Sequence, residues 1–218
     1  MEIRDIRAVL FDMDGTLVDS DAAVERAWTT WAGEYGVPVT DVLAIAHGSP
    51  AESTVDRVCP DLSAEERAAA AARELELQYD DLSDVVATPG AVEVVGLLDR
   101  LGLPWAVVTS ADNQLAKVRL ATAGIEPTVL VTVEDITRGK PDPEGYLRAA
   151  DLLGVPPQHC LVVEDAAVGL AAGRAAGAVT AGLKGLDADI RLTDLHELAR
   201  LLTAARTKDT GSADLAAG

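Results

Sequence analysis

The chain is expected to fold as an α/β protein, with a mostly parallel sheet covered by helices on both faces and a helical segment inserted after the first strand. From Pro89 onward, short apolar runs alternate with helix-period segments, the pattern of strand–helix–strand units. The first apolar run, Ala8 to Phe11, is cut off from the others by residues 20–86, where no convincing strand signal occurs. Apolar residues make up 49% of the 218, enough for a sizeable core in one large domain, or in a domain carrying a smaller insert.

Taken in order, Ala8 to Phe11 reads as the first strand. In the segment that follows, Val24, Ala27, Trp28, Trp31 and Tyr35 fit one helical face, which favours core packing for both tryptophans over lining a pocket. Ser63 and Glu66 form a capping box leading into an Ala-rich helix that runs through Tyr79. Pro89 and Gly90 open a helix with Val92, Val95, Leu98 and Leu101 on one face, stopped by Gly102. Strands follow at Trp105–Val108, Val129–Val131, Leu161–Val163, Val179–Ala181 and Ile190–Leu192. Helices fall between them at about Gln114–Ala123, after Pro143 to Gly154, and at Ala166–Ala176. A last helix spans Asp194 to about Ala204. The division implied is a core of residues 1–19 and 87–206, a helical cap of residues 20–86, and a polar, small-residue tail, 207–218, expected to be disordered.

Eighteen basic against 36 acidic residues give a formal net charge of −18. Such a chain repels nucleic acid and anionic lipid, so neither is expected as a partner. No run of 18 apolar residues exists, which argues against a membrane span. The start, MEIRDIRAVLF, carries early charges and a short apolar stretch, unlike a secretory signal. Cys59 and Cys160 lie far apart with no C-x-x-C pairing, so buried thiols in a reducing cytoplasm are expected. An anionic small substrate stays possible where a metal ion and fixed cations reverse the local field.

The densest chemistry lies at strand ends. The first strand delivers Asp12 and Asp14, with Gly15 allowing a sharp turn. Trp105–Val108 delivers Thr109 and Ser110, and Leu161–Val163 delivers Glu164 and Asp165. Lys140 sits in GKPDPE, fixed between Gly139 and Pro141 before a helix. Ligands of open parallel sheets bind outside the carboxyl ends of the strands. The topology therefore brings an acid pair, a hydroxyl, an ammonium and a second acid pair together. That set suits Mg²⁺, which takes oxygen ligands, plus a phosphoryl group. Each residue alone also has a plainer reading as a turn hydroxyl, a surface lysine or a helix cap.

The succession DMDGT, VVTSA, GKPDP and VVEDAAVG resembles the haloacid dehalogenase superfamily, specifically its phosphatases, over essentially the whole chain to about Leu201. The resemblance implies a Rossmann-like core with a helical cap. It implies Asp12 as nucleophile and Asp14 as general acid and base. Ser110, with Ala111, and Lys140 would hold the phosphoryl group. Mg²⁺ would be bound by Asp12, the Asp14 carbonyl and Asp165, with Glu164 contributing directly or through water.

Relatives with other chemistries differ at identifiable positions. Dehalogenases lack the second aspartate, which is Asp14 here. Ion pumps carry a lysine and then a threonine after the first aspartate, where this chain has Met13 and Asp14. Phosphonatases use a cap lysine, but the first lysine of this chain is Lys117. Sugar-phosphate mutases carry a histidine on the first cap helix, where this chain has Val24, and an arginine where it has Ala51. The cap thus offers little positive charge for a second phosphate. A β-phosphoglucomutase-like mutase is the runner-up reading. The cap words VDSDAAVERAWTTWA and AHGSPAES look most like sugar and polyol phosphatases, including those acting on glycerol, deoxysugar and hexitol phosphates. By that likeness His47 and Gly48 would face the substrate and Glu52 would bond its hydroxyls. His47 also reads as a loop histidine capping the helix near Pro50. The expectation is a cytoplasmic enzyme, monomer or weak dimer, acting on a small phosphorylated metabolite.

Overall fold

The computed structural model describes residues 3–46 and 49–213. Strand β1 (Ala8–Phe11) is buried at every residue, as a sheet covered on both faces requires. After a left-handed Gly15 (φ 79°), the two-residue strand β2 (Val18–Asp19) leads into four helices. These are α1 (Asp21–Tyr35), α2 (Val39–Ala46), α3 (Ala51–Val58) and α4 (Ala64–Tyr79). The chain returns through β3 (Val86–Ala87), antiparallel to β2 in the register Val18↔Ala87. Two-residue strands are too short to leave a periodic signal, which is why none was legible at the ends of the insert.

The remaining elements alternate: α5 (Ala91–Leu101), β4 (Trp105–Val108), α6 (Asn113–Thr122), β5 (Leu130–Val131), α7 (Glu144–Leu152), β6 (Cys160–Glu164), α8 (Ala167–Ala175), β7 (Val179–Gly182), β8 (Ile190–Arg191) and α9 (Leu195–Ala213). Six strands form one sheet in the order β5-β4-β1-β6-β7-β8, and each neighbouring pair is parallel. Phe11 lies level with Val107 on one side and Val163 on the other. The residues that follow these three therefore emerge at one edge of the sheet.

Side-chain alternation divides the core. Val9, Phe11, Val107 and Leu161 pack with α5 and α9 on one face. Leu10, Ala106 and Val162 pack with Tyr146 and Ala149 of α7 on the other. Helices α1–α4 hold a third cluster of their own, built on Trp28, Trp31, Val42, Val55 and Ala70. Trp31 Nε1 donates to the Ala70 carbonyl at 2.8 Å, so its one polar atom is satisfied while the ring is buried. The Ser63–Glu66 capping box forms in both directions, worth about 1 kcal/mol to the start of α4.

Three expectations change. Cys160 is a buried thiol, but Cys59, at the end of α3, is only partly buried. Helix α5 buries Ala91, Val94, Val95 and Leu98, while Val92 and Leu101 are 52% and 39% exposed. A string of i+3 steps such as 92-95-98-101 drifts about 60° per step around a 3.6-residue helix. The mixed i+3 and i+4 series stays on one stripe. Helix α9 runs to Ala213, past residue 207 where the disordered tail was expected to begin. Extending a nucleated helix adds one hydrogen bond per residue fixed, so polar residues can continue it. Residues 214–218 of that tail lie outside the described residues.

Candidate active site

The sheet edge assembles most of the expected residues. The Asp12 N–H donates to the Val163 carbonyl at 3.0 Å, which locks the end of β1 to β6. Lys140 reaches in from the loop before α7. Its Nζ donates to Asp12 Oδ1 at 2.5 Å, Glu164 Oε1 at 2.7 Å and the Val108 carbonyl at 3.1 Å. The Tyr146 hydroxyl donates to the same Glu164 oxygen at 2.6 Å, and Glu164 Oε2 accepts from the Ala166 N–H. Both carboxylate oxygens of Glu164 are therefore engaged by the protein. Asp12, Lys140 and Glu164 side chains are each less than a tenth exposed.

Asp165, the next residue after β6, faces Lys184 at 3.0 Å. Gly15 is required beside it, because a Cβ there would sit 2.1 Å from Asp165 Oδ2. Asp12, Glu164 and Asp165 offer oxygens within 4.8 Å of one another. Burial, reinforced by the neighbouring Glu164 and Asp165, pushes Asp12 well above the usual carboxylate range against the pull of Lys140. Burial also raises Asp165, with Lys184 opposing it. For Lys140, burial works against the charge, but Asp12 and Glu164 outweigh it and hold the ammonium above its ordinary value. Tyr146 is held well above its ordinary value by burial and by Glu164, and stays protonated. Three crowded carboxylates with hard oxygen donors form a set that a divalent cation would relieve.

Asp14 points elsewhere. Its Oδ1 accepts from Arg119 Nη1 of α6 at 2.8 Å and from Ser20 Oγ at 2.6 Å, so its carboxylate is not one of the crowded three. Arg119 is 1% exposed. Its Nη2 donates to Gln78 Oε1 at 2.7 Å, and Gln78 Nε2 donates to Glu74 Oε1 at 2.6 Å. A chain of hydrogen bonds thus runs from α4 of the insert to Asp14 on the sheet. Tyr79, one residue on, donates to Asp112 at the start of α6.

Between the insert and the sheet lies a cavity of about 300 Å³. Asp14, Ser110, Ala111 and Arg119 line it from the sheet side, and Trp28, Glu52, Glu74 and Gln78 from the insert. Trp28 both packs in the insert core and borders this cavity. The Ala111 N–H donates to Thr109 Oγ1 at 3.0 Å. His47 and Gly48 lie outside the described residues.

Sequence reasoning missed Arg119, Glu74, Gln78, Tyr146 and Lys184. A signal was present for two of them. Arg119 falls on the buried stripe of α6 with Leu115, Ala116 and Leu120, and Glu74 on that of α4 with Ala70 and Ala71. A charge at an apolar position of the helical period marks a buried partner or a site.

Burial raises Glu74 from 4.5 to about 7, against the Gln78 hydrogen bond and the Arg119 charge. Between those values the folded chain holds a proton that the unfolded chain has lost. This contribution is therefore complete below pH 4.5 and disappears as pH rises through 7, by up to about 3 kcal/mol. Glu74→Gln should remove that dependence. Urea unfolding at pH 5 and pH 8 should show wild type losing stability relative to the variant at the higher pH. A difference that does not change with pH would contradict the shift.

The chain is 43% identical over 172 residues to hexitol phosphatase A of Escherichia coli, covering 78% of this chain and 80% of that protein. It is 37% identical over 193 residues to 2-deoxyglucose-6-phosphate phosphatase 1 of Saccharomyces cerevisiae, covering 80% and 78%. Its structure matches β-phosphoglucomutase from Clostridium difficile with a TM-score of 0.82, covering 94% of this chain and 99% of that one. At 21% identity, that likeness concerns the fold alone. The family model for haloacid dehalogenase-like hydrolases matches residues 6–177, so the order of motifs along the strands reflects membership: the chain belongs to the haloacid dehalogenase-like hydrolases.

Proposed function

We propose that the chain is a Mg²⁺-dependent phosphatase that hydrolyses small sugar or polyol monophosphates through an aspartyl-phosphate on Asp12. The observation that carries this reading is the buried Asp12–Lys140–Glu164 cluster, with Asp165 beside it, next to a cavity lined by Asp14 and Ser110.

Asp12 attacks phosphorus, the bond to the ester oxygen breaks, and Asp14 hands a proton to the departing alkoxide. Asp14 then takes a proton from the water that hydrolyses the phosphoenzyme, returning Asp12 as a carboxylate. Ser110 and Lys140 hold the phosphoryl oxygens, with Glu164 and Tyr146 fixing the lysine. The oxygen donors present fit Mg²⁺: Asp12, Asp165 and the Asp14 main-chain carbonyl would hold it, with Glu164 behind them through water. When bound, the ion neutralises charge on the phosphoryl oxygens and favours the ionised form of Asp12.

The cavity favours a monophosphate. Among its described lining residues, Asp14, Glu52, Glu74 and Asp112 are carboxylates and Arg119 is the one cation, already donating to Asp14 and Gln78. A second phosphate would meet acids, as a bisphosphate-cycling mutase could not tolerate. The names of the E. coli and yeast relatives supply the substrate class.

Phosphate release should be measured over a panel of hexitol, deoxyhexose and glycerol phosphates with Mg²⁺. Turnover on one or more of these is expected, with negligible isomerisation of a hexose 1-phosphate in the presence of a bisphosphate. Efficient isomerisation would replace this reading with the mutase one. Excess EDTA should abolish turnover and Mg²⁺ restore it, since the crowded carboxylates otherwise repel the substrate. Undiminished turnover in EDTA would remove the metal from the proposal.

A further inference from the structure

Two buried polar atoms on the cavity wall have no protein partner, Glu74 Oε2 and Arg119 Nε. Both residues line the cavity, and their relative exposures are 0% and 1%. Their other polar atoms are committed, Glu74 Oε1 to Gln78 and the Arg119 Nη atoms to Asp14 and Gln78. One acceptor and one donor thus lie buried in residues that line the cavity, each desolvated, which is costly unless a ligand settling against them completes them.

We propose that Glu74 and Arg119 form a hydroxyl-recognition subsite for the alcohol half of the substrate, where one hydroxyl donates to Glu74 Oε2 and accepts from Arg119 Nε. A hydroxyl is the simple group that does both. A phosphate or carboxylate only accepts and would be repelled by Glu74. An ammonium only donates and would face the guanidinium. Room for a carbon chain comes from α4 itself, whose lining positions beside Glu74 include Ala68, Ala71 and Ala72. Because Arg119 also holds Asp14, filling the subsite steadies the residue that protonates the leaving oxygen. The subsite rests on the phosphatase reading above and adds to it the group that reads the carbon chain.

The test compares wild type, Glu74→Met and Glu74→Gln on a hexitol 6-phosphate, its monodeoxy analogues and 4-nitrophenyl phosphate, all with Mg²⁺ at pH 8, where Glu74 has given up its proton. In Glu74→Met the ratio of kcat/KM on the hexitol ester to that on the aryl ester should fall about 10- to 100-fold, chiefly through KM, as for a lost hydrogen bond to a charged group. Glu74→Gln, isosteric and expected to fold even if the methionine variant does not, should show the same selective loss at about tenfold. One monodeoxy analogue should make wild type behave like the variant and lose nothing further in it. Equal losses on hexitol and aryl esters would assign Glu74 a structural role and overturn the subsite. Unchanged ratios would overturn it as well. Hydrolysis of the aryl ester but of no sugar or polyol phosphate by wild type would instead overturn the substrate class, and the subsite with it.

Discussion

Asp12→Asn is expected to abolish turnover, with kcat falling roughly 10⁴-fold or more, because an amide oxygen is too weak a nucleophile to open the phosphate ester. The substitution is nearly isosteric. Lys140 keeps its bond to Glu164 and can still donate to the amide oxygen at position 12, so the loss should appear without a matching loss of stability. Rapid quench with 4-nitrophenyl phosphate reads the first step directly. No burst of nitrophenol is expected from the variant, and a burst equal to that of wild type would end the case for a covalent intermediate at this position.

Asp14→Asn should behave differently. The new amide oxygen still accepts from Arg119 and Ser20, so the side chain stays where the acid sat, but it can neither give nor take the proton. A loss of about 10²- to 10⁴-fold in kcat is expected on alkyl phosphates. A nitrophenolate leaves without protonation, so phosphorylation of Asp12 by 4-nitrophenyl phosphate should survive. The slow step becomes hydrolysis of the phosphoenzyme, and a burst near one equivalent should precede a slow steady state. Equal suppression of burst and steady state would show that Asp14 has no separate part in the second half-reaction.

These two residues were legible because β1 is a run of four apolar residues ending in D-x-D-G, with the chemistry adjacent in sequence to the strand that places it. Ser110 was legible for the same reason just after β4, and Glu164 at the end of β6. Lys140 was found by its Gly and Pro neighbours, although the sequence could not show that it bridges Asp12 and Glu164. Arg119 escaped because its partners lie far off in sequence, Asp14 105 residues away and Gln78 41 residues away, and Glu74 because its near partner Gln78 is tied to the sheet only through Arg119. Their own helices look amphipathic with one flaw each, and the meaning of the flaw depends on which helix packs opposite. The α5 face was misread for a local reason, since an i+3 string looks regular in sequence but rotates away from the core.

β1 leaves the ribosome long before either of its neighbours is made, with Val9 pairing to Trp105 on one side and Leu161 on the other. Helices α1–α4 draw their cluster from residues lying between Trp28 and Ala71 and can settle before β4 exists, while the strand ahead of them waits with both edges unpaired. Joining β1 to β4 across that insert adds little entropy, because loop closure grows only with the logarithm of length. The cost lies in time, since non-local parallel pairing is slow to form. An apolar strand with two open edges is a template for another chain during that interval. The interval closes only when β6 emerges, so a nascent chain halted before Cys160 still carries its central strand half unpaired, and expression is most exposed to aggregation in that stretch of synthesis.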